Sequence, residues 1–256
     1  MPGGEALAGL SEHGGGNRVR LVQHYPAYLD LRGRTCVVVG GGEIAERKVK
    51  SLLGAGARVT VIGPTLTPGL AALAETHEIM HHGRTFRRGD LAGAVLAYAA
   101  TDDQRLHIEI AAEASETQVL LNVVDCASLC SFLAPAVIRR GPVSVAVSTG
   151  GASPALAKRL SADLEKAVGP EYGLAATILG KLRPIVAAIE PEQAGRARVF
   201  AALVDSPLIE ALRAGDAAAI DDILTRTIGS GTTLEALGIS LAPGGGRSRD
   251  DGTRTS

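Results

Sequence analysis

Short runs of aliphatic residues alternate with longer amphipathic stretches along the chain as far as Ser148. Such runs predict buried parallel strands, because a strand covered on both faces shows no polar alternation. Helical patterns alternate with them at the spacing of right-handed βαβ units, so the sequence predicts an α/β fold with a Rossmann-type, doubly wound parallel sheet. The predicted strands cover residues 36–39, 58–62, 78–82, 95–100, 118–123 and 143–148.

The pattern changes at Ser153, which suits a helix N-cap and is followed by Pro154 at the first helical position. Apolar residues then recur at every fourth place up to Gly169-Pro170, which predicts the end of that helix. The chain stays rich in Ala and Leu as far as Leu241, so we expect a small all-α domain. Helix breaks are expected near Pro184, Pro191, Pro207 and Gly215.

Composition narrows the class of protein. The 256 residues are 46% hydrophobic and carry a net charge of −1, which suits two small domains and argues against a polyanion binder. No Trp and few aromatic residues argue against nucleic-acid stacking. The sequence offers neither an apolar run near the ~20 residues of a membrane helix nor a signal peptide. The three cysteines therefore indicate reduced thiols in a cytoplasmic protein.

A glycine-rich turn joins the first predicted strand to the first helix. Its spacing, Gly40-x-Gly42-x-x-Ala45, is the dinucleotide-binding fingerprint with Ala at the third place. Gly40 would make the tight turn, Gly42 would let backbone amides approach a pyrophosphate, and Ala45 would let helix and strand pack closely. A strand before it and a helix after it favour cofactor binding over a plain Gly-rich turn.

The type of nicotinamide cofactor stays open on residues alone. The end of the second strand, where many sites place an acid for the ribose, reads Ile62-Gly63-Pro64, and no arginine is present there for a 2′-phosphate. Thr101 follows another strand end, while Asp102 or Asp103 is at least as well explained as a helix N-cap. The predicted cofactor contacts are Gly40, Gly41, Gly42, Glu43, Ile44, Pro64, Thr65 and Thr101.

Six motifs in order resemble the precorrin-2 dehydrogenase/sirohydrochlorin ferrochelatase module of the siroheme synthase family. The likeness covers about residues 25–186, and the helical remainder resembles the family's C-terminal helical domain more weakly. The motifs are residues 39–48 (VGGGEIAERK), 99–103 (AATDD), 122–125 (NVVD), 132–136 (FLAPA), 140–142 (RGP) and 148–154 (STGGASP).

The resemblance implies oxidation of precorrin-2 to sirohydrochlorin with NAD+, and in many members insertion of Fe2+ to give siroheme. It also implies a homodimer with its active site between the domains. A fused uroporphyrinogen methyltransferase would not fit after Leu241, so a stand-alone form is expected. The resulting division is residues 1–24 disordered, 25–134 NAD-binding, 135–170 dimerisation, 171–241 helical and 242–256 disordered tail.

Asp125 ends a predicted strand and matches the key acid of that family. A carboxylate there could act as a base or as a transient Fe2+ ligand, and the simpler alternative is a turn or cap aspartate. Asn122 could orient the ligand or merely satisfy a strand end. The amides of Thr149 and Gly150 could hold a substrate carboxylate, or form a plain loop before Ser153.

Precorrin-2 and sirohydrochlorin carry eight carboxylates, which calls for basic side chains near the domain junction. Cys126 and Cys130 are better explained as small buried thiols than as a metal site. The absence of histidine after His107 weakens the ferrochelatase assignment. A non-catalytic dinucleotide-sensing module remains the alternative function. The candidate substrate cations are Arg139, Arg140, Lys158, Arg159, Lys181 and Arg183.

Overall fold

The computed structural model describes residues 24–241. The disorder expected for residues 1–24 and 242–256 therefore falls outside the described part of the chain, apart from His24. The predicted domain boundaries stay predictions.

Five parallel strands form the main sheet, in the order β3-β2-β1-β4-β5. The strand order reverses direction beside β1, as in doubly wound sheets, so a crevice is expected at the carboxyl edge near this point. The predicted strands agree with those observed to within two residues at either end. They are β1 (Thr35–Val39), β2 (Arg58–Ile62), β3 (Ile79–His82), β4 (Leu96–Ala99) and β5 (Leu120–Val123).

Helices cover both faces of this sheet. α1 (Glu43–Gly54) and α2 (Pro68–Glu75) pack on one face, where Val38 is fully buried, and α3 (Gln104–Thr117) packs on the other, where Val37 is buried. The two valines enter different cores because successive strand residues point to opposite faces. The Rossmann-type fold expected from the alternating pattern is confirmed.

A separate two-stranded sheet follows the main one and corrects the sequence prediction. β6 (Ala136–Arg140) pairs antiparallel with β7 (Val143–Val147) across a turn containing Gly141 at φ +54°. β6 was not predicted from the sequence, and the strand predicted over residues 143–148 was expected to join the parallel sheet. Only residues 141–142 separate the two strands, whereas a parallel neighbour needs a crossover of about a dozen residues or more.

Five helices follow the hairpin. The helix break predicted near Pro184 is wrong. The longest of them passes through Pro184 without ending, because Ile178, Leu182 and Val186 on either side are fully buried in one core. Pro184 and Gly180 are both exposed, so the Gly180 carbonyl that loses its N–H donor can be hydrated. The helices are α4 (Pro154–Ala167), α5 (Pro170–Ile189), α6 (Gln193–Val204), α7 (Leu208–Ala214) and α8 (Ala217–Ile228).

Within residues 24–241, α5 is the one helix with the length and apolar composition to cross a membrane. This corrects the expectation that no apolar stretch approaches that length. The same helix supplies Leu182 to the core that it forms with α6, α7 and α8, and core helices meet the same criterion.

The segment before β1 carries several apolar side chains that the sheet does not cover. Within residues 25–31, Tyr25 is 91% exposed and Leu29 is half exposed. Only Leu31 packs against the sheet core, while the Tyr28 hydroxyl donates a hydrogen bond to the Ser144 carbonyl oxygen of β7 at 3.0 Å. The segment thus reaches the hairpin instead of covering the sheet.

Replacing Glu113 of α3 by Ala is expected to destabilise the Rossmann sheet. The buried Glu113 carboxylate accepts the backbone N–H groups of Gly89 at 2.9 Å and Leu91 at 2.8 Å, and these donors would lose their acceptors. We expect a loss of about 1–3 kcal/mol or more in the free energy of unfolding by urea. Glu116→Ala is the control, because that exposed residue only pairs with Arg88 and should cost at most about 0.5 kcal/mol. Equal losses would contradict the assignment.

Candidate active site

Two glycines of the turn are required by backbone packing. Gly40 has φ +121°, and a Cβ there would overlap the Ala100 carbonyl oxygen at the end of β4. A Cβ on Gly41 would overlap the Thr65 carbonyl oxygen in the loop after β2, and the Gly41 carbonyl accepts the Thr67 N–H at 2.9 Å. These glycines therefore let three chain segments meet at the carboxyl edge of the sheet.

Gly42 is different, because a Cβ there would meet nothing within 4 Å. It is the N-cap of α1 and provides no side-chain cap, and Glu46 is the first residue whose N–H bonds back to the Gly42 carbonyl. The N–H groups of Glu43, Ile44 and Ala45 have no intrahelical acceptor, and the helix dipole is positive at this end. The open space at Gly42 thus fits the phosphate cradle that the fingerprint predicts.

The loop after β2 holds the exposed Pro64 and Thr65 at the same edge. His81 donates its Nε2 proton to the Gly63 carbonyl at 2.9 Å, which fixes the start of this loop. No acidic side chain occupies residues 62–66, as the sequence analysis noted.

Thr101 follows β4 and is half-buried. The buried His107 donates its Nε2 proton to the Thr101 carbonyl at 2.7 Å, a contact that the sequence analysis missed. Asp103 caps α3, since its carboxylate accepts the N–H groups of Arg105 and Leu106. The capping alternative is therefore confirmed for Asp103.

Two cavities adjoin at this edge. The α3 cavity, of about 540 Å³, is lined by the β4–α3 junction and includes Thr101 and His107. The hairpin cavity, of about 740 Å³, lies between α1, the turn after β5, the β6–β7 hairpin and the start of α4. Their shared wall is formed by Ile44, Val124, Asp125 and Cys126.

Asp125 sits in the turn after β5 at φ +57°, a left-handed conformation that Asp tolerates better than most residues. It is exposed, and its carboxylate forms no hydrogen bond or ion pair with the side chains or backbone of residues 24–241. An acceptor on the wall between two cavities can reach molecules in both of them. A carboxylate in this position is accessible to a bound substrate, as the base expected from the sequence would have to be.

The neighbouring Asn122 is 9% exposed and lines the hairpin cavity. Its Nδ2 donates to the Phe132 carbonyl at 3.0 Å, which fixes the orientation of the amide. The side chain therefore ties the loop to β5, as the simpler alternative held, while it also faces the cavity.

Of the remaining residues predicted to bind substrate, one lines the hairpin cavity and two do not. Thr149 lines the hairpin cavity, and its hydroxyl accepts the Ser153 N–H and donates to the Ser153 carbonyl. Gly150 is absent from the lining, and its N–H donates to the Ser148 hydroxyl. Arg140 is also absent from the lining, because its guanidinium bonds to the Val168 carbonyl at 3.1 Å and to Glu165.

Basic side chains enter the hairpin cavity mostly from a helix that the sequence analysis did not consider for this role. Arg47 and Lys48 of α1 line it together with Lys158 of α4, and Lys158 is the only predicted cation among the described lining residues. The signal was present, because Arg47-Lys48 follows the fingerprint by less than two helical turns. Among the other candidates, Arg159 pairs with Asp163 and Lys181 donates to the Leu237 carbonyl at 2.6 Å.

Lys48 lies over an aromatic ring, which in turn packs against a second ring. Its Nζ lies 5.1 Å from the centroid of the Tyr98 ring, and Tyr98 meets Phe132 edge to face at 5.5 Å. Burial raises the pKa of Tyr98 to about 12, so the phenol stays neutral. Burial, and to a lesser degree the neighbouring charge of Arg47, lowers the pKa of Lys48.

The cysteines near Asp125 are free thiols. Cys130 accepts the Val123 N–H at 3.1 Å, and burial raises its pKa. Within residues 24–241 no group of three or more His, Cys, Asp or Glu side chains is placed to hold a metal ion.

A parallel sheet with this glycine turn and open helix N-terminus defines an NAD(P)-binding protein of Rossmann type, and residues 27–136 match the family model for putative NAD(P)-binding domains. Residues 140–167 match the sirohaem biosynthesis protein central model, and residues 171–228 match the sirohaem synthase dimerisation region. With all three segments in order, the chain belongs to the siroheme synthase family.

Sequence and structure comparisons with known proteins support this family assignment. The siroheme synthase of Chromobacterium violaceum is 38% identical over 224 residues, which are 88% of this chain and 48% of the relative. That of Methylobacillus flagellatus is 43% identical over 161 residues, 63% of this chain and 34% of the relative. The chain thus spans about half the length, or less, of these relatives. The solved structure titled SirC, precorrin-2 dehydrogenase, is 26% identical with a TM-score of 0.66, covering 80% of this chain and 98% of that one.

Alanine substitutions at Gly41 and Gly42 are expected to affect different properties, the stability of the fold and the affinity for NADH. Gly41→Ala should lower the melting temperature, because its Cβ would overlap the Thr65 carbonyl oxygen. Gly42→Ala should keep the wild-type melting temperature yet weaken NADH binding at least about tenfold, since its methyl would occupy the open space at the α1 N-terminus. Thermal unfolding and NADH fluorescence titration measure the two effects. Unchanged NADH affinity in Gly42→Ala would contradict the cradle.

Proposed function

We propose that this chain oxidises precorrin-2 to sirohydrochlorin with NAD+, in siroheme or tetrapyrrole biosynthesis. The observation that carries the proposal is Asp125, an acceptor on the wall shared by two cavities next to the glycine turn. Family membership and the likeness to a structure titled precorrin-2 dehydrogenase support it. The setting would be the cytoplasm, in keeping with three free thiols.

In this proposal the dinucleotide lies along the carboxyl edge of the sheet. The amides of Glu43 and Ile44 would bind the pyrophosphate, and Pro64 and Thr65 would border the adenosine half. Thr101, in the α3 cavity, would border the nicotinamide half. The end of β2 offers no residue that distinguishes NAD+ from NADP+. The choice of NAD+ in this proposal therefore rests on the family resemblance.

The reaction removes two hydrogens from precorrin-2, one as a hydride and one as a proton. Bound NAD+ supplies the hydride acceptor. Asp125 accepts the proton, because it lines the hairpin cavity and its carboxylate is bonded to no donor among residues 24–241. The products are then sirohydrochlorin, NADH and one proton.

The hairpin cavity would receive the macrocycle. Asn122 presents an amide held in one orientation, and Thr149 places the loop before α4 against the same space. Gly150 and Arg140 do not line the cavity, so their proposed role is to position the segments around it. Gly150 shapes the loop, and Arg140 holds the hairpin to the end of α4.

Insertion of Fe2+ into sirohydrochlorin is a second proposed activity at the same place. It requires removal of two pyrrole protons, and Asp125 offers an exposed carboxylate that can accept a proton or contact the incoming Fe2+ substrate.

A homodimer completes the proposal. The apolar stripe predicted on α4 is left uncovered in one chain, with Leu156 54% and Leu160 47% exposed. Residues 171–228 match a dimerisation region. A second copy of the chain is therefore the proposed cover for this stripe.

Asp125→Asn tests the base. Asn tolerates the left-handed backbone and keeps the side-chain shape, so folding should be unchanged, while the rate of precorrin-2 oxidation should fall about 10²–10⁴-fold. The measurement is anaerobic incubation with precorrin-2 and NAD+, following the absorption of sirohydrochlorin. Asp163→Asn, on the surface of α4, is the matched control and should retain full activity. Full activity in Asp125→Asn would remove the assigned base.

The same assay on the wild type distinguishes the proposed dehydrogenase from the alternative, a non-catalytic dinucleotide-sensing module. A protein that binds NADH but never converts precorrin-2 would be the non-catalytic dinucleotide sensor. Adding Fe2+ to sirohydrochlorin tests chelation on its own.

A further inference from the structure

The described lining of the hairpin cavity contains several basic side chains. Its described lining contains three cations, Arg47, Lys48 and Lys158, against the single carboxylate of Asp125. The cations come from two helices, α1 of the Rossmann domain and α4 after the hairpin. A cavity of about 740 Å³ lined by basic side chains suits a ligand that carries several anionic groups at its periphery.

Lys48 is the most constrained of the three cations. It is half-buried, and the Tyr98 ring beneath its ammonium group restricts where that group can lie. Burial also lowers its pKa, as expected for a partly dehydrated ammonium group. A cation already partly removed from water loses less hydration when an anion binds, and attracts that anion more strongly than a solvated one.

We propose that Lys48, with Arg47 and Lys158, binds peripheral carboxylates of the macrocycle and so selects ligands by their number of carboxylates. The inference rests on the proposed function, which places a tetrapyrrole with eight carboxylates in this cavity. Arg47 and Lys48 act from one helix and Lys158 from another, so a ligand bound to both would also bring α1 and α4 into fixed register.

Two fluorescent porphyrins test the inference without any turnover. Uroporphyrin I has eight carboxylates and mesoporphyrin has two, and each is titrated into the full-length protein. We expect Lys48→Met to weaken uroporphyrin binding about tenfold at 0.1 M salt and mesoporphyrin binding less than about threefold. Lys158→Met should act in the same direction, and the uroporphyrin affinity of the wild type should fall more steeply with added salt than that of either variant.

Lys50→Met is the matched control. Lys50 lies on the same helix but is exposed, pairs with Glu46 at 2.8 Å and is absent from the cavity lining, so both porphyrins should bind as to the wild type. Lys48→Arg keeps the charge and should bind uroporphyrin within about threefold of the wild type. Thermal unfolding of Lys48→Met checks that the helix is intact.

Three results would overturn the inference: wild-type protein that does not bind uroporphyrin, equal affinity in the Lys48→Met and Lys50→Met variants, or equal weakening of both porphyrins by Lys48→Met. These results are independent of the enzymatic assay. Selective loss of uroporphyrin binding in a protein that never oxidises precorrin-2 would support the carboxylate site and reject the proposed function. If the wild type oxidises precorrin-2 but Lys48→Met weakens both porphyrins equally, the proposed function is supported and the carboxylate site is rejected.

Discussion

Close backbone contact at the end of β1 is the constraint on which the rest of the structure depends. Gly40 lies against the Ala100 carbonyl and Gly41 against the Thr65 carbonyl, at distances that no side chain would permit. This contact brings the ends of β1, β2 and β4 together and directs α1 away from the edge. The N-terminus of α1 then remains open at Gly42, and the next turns carry Arg47 and Lys48 into the hairpin cavity.

The turn after β5 is the second fixed point, and side chains hold it on both sides. Cys130 accepts the Val123 N–H, while Asn122 donates to the Phe132 carbonyl, so the turn is tied to its own strand and to the loop that follows. Asp125 is therefore presented at the junction of the two cavities by a supported backbone in a left-handed conformation. Preorganisation of this kind lowers the cost of placing a base beside its substrate.

Local signals in the sequence predicted most of the Rossmann sheet, because strand burial, helix capping and glycine turns depend on near neighbours. The limits of β2 were predicted to the residue, and Asp103 does cap α3. The antiparallel pairing of β6 with β7 was not predicted, although the two residues that connect these strands are too few for a parallel crossover. Pro184 failed as a break because burial on both sides of it outweighs one lost hydrogen bond.

The sequence by itself determined the class of fold, the glycine turn and the family, because each of these is encoded in residues that are close along the chain. Only the tertiary structure decided which charged side chains meet. Arg140 and Lys181 bind backbone carbonyls elsewhere, whereas Arg47 and Lys48 share a cavity with Lys158, more than 100 residues away. Contacts between distant segments follow from how helices and sheets pack, and no local pattern records that packing.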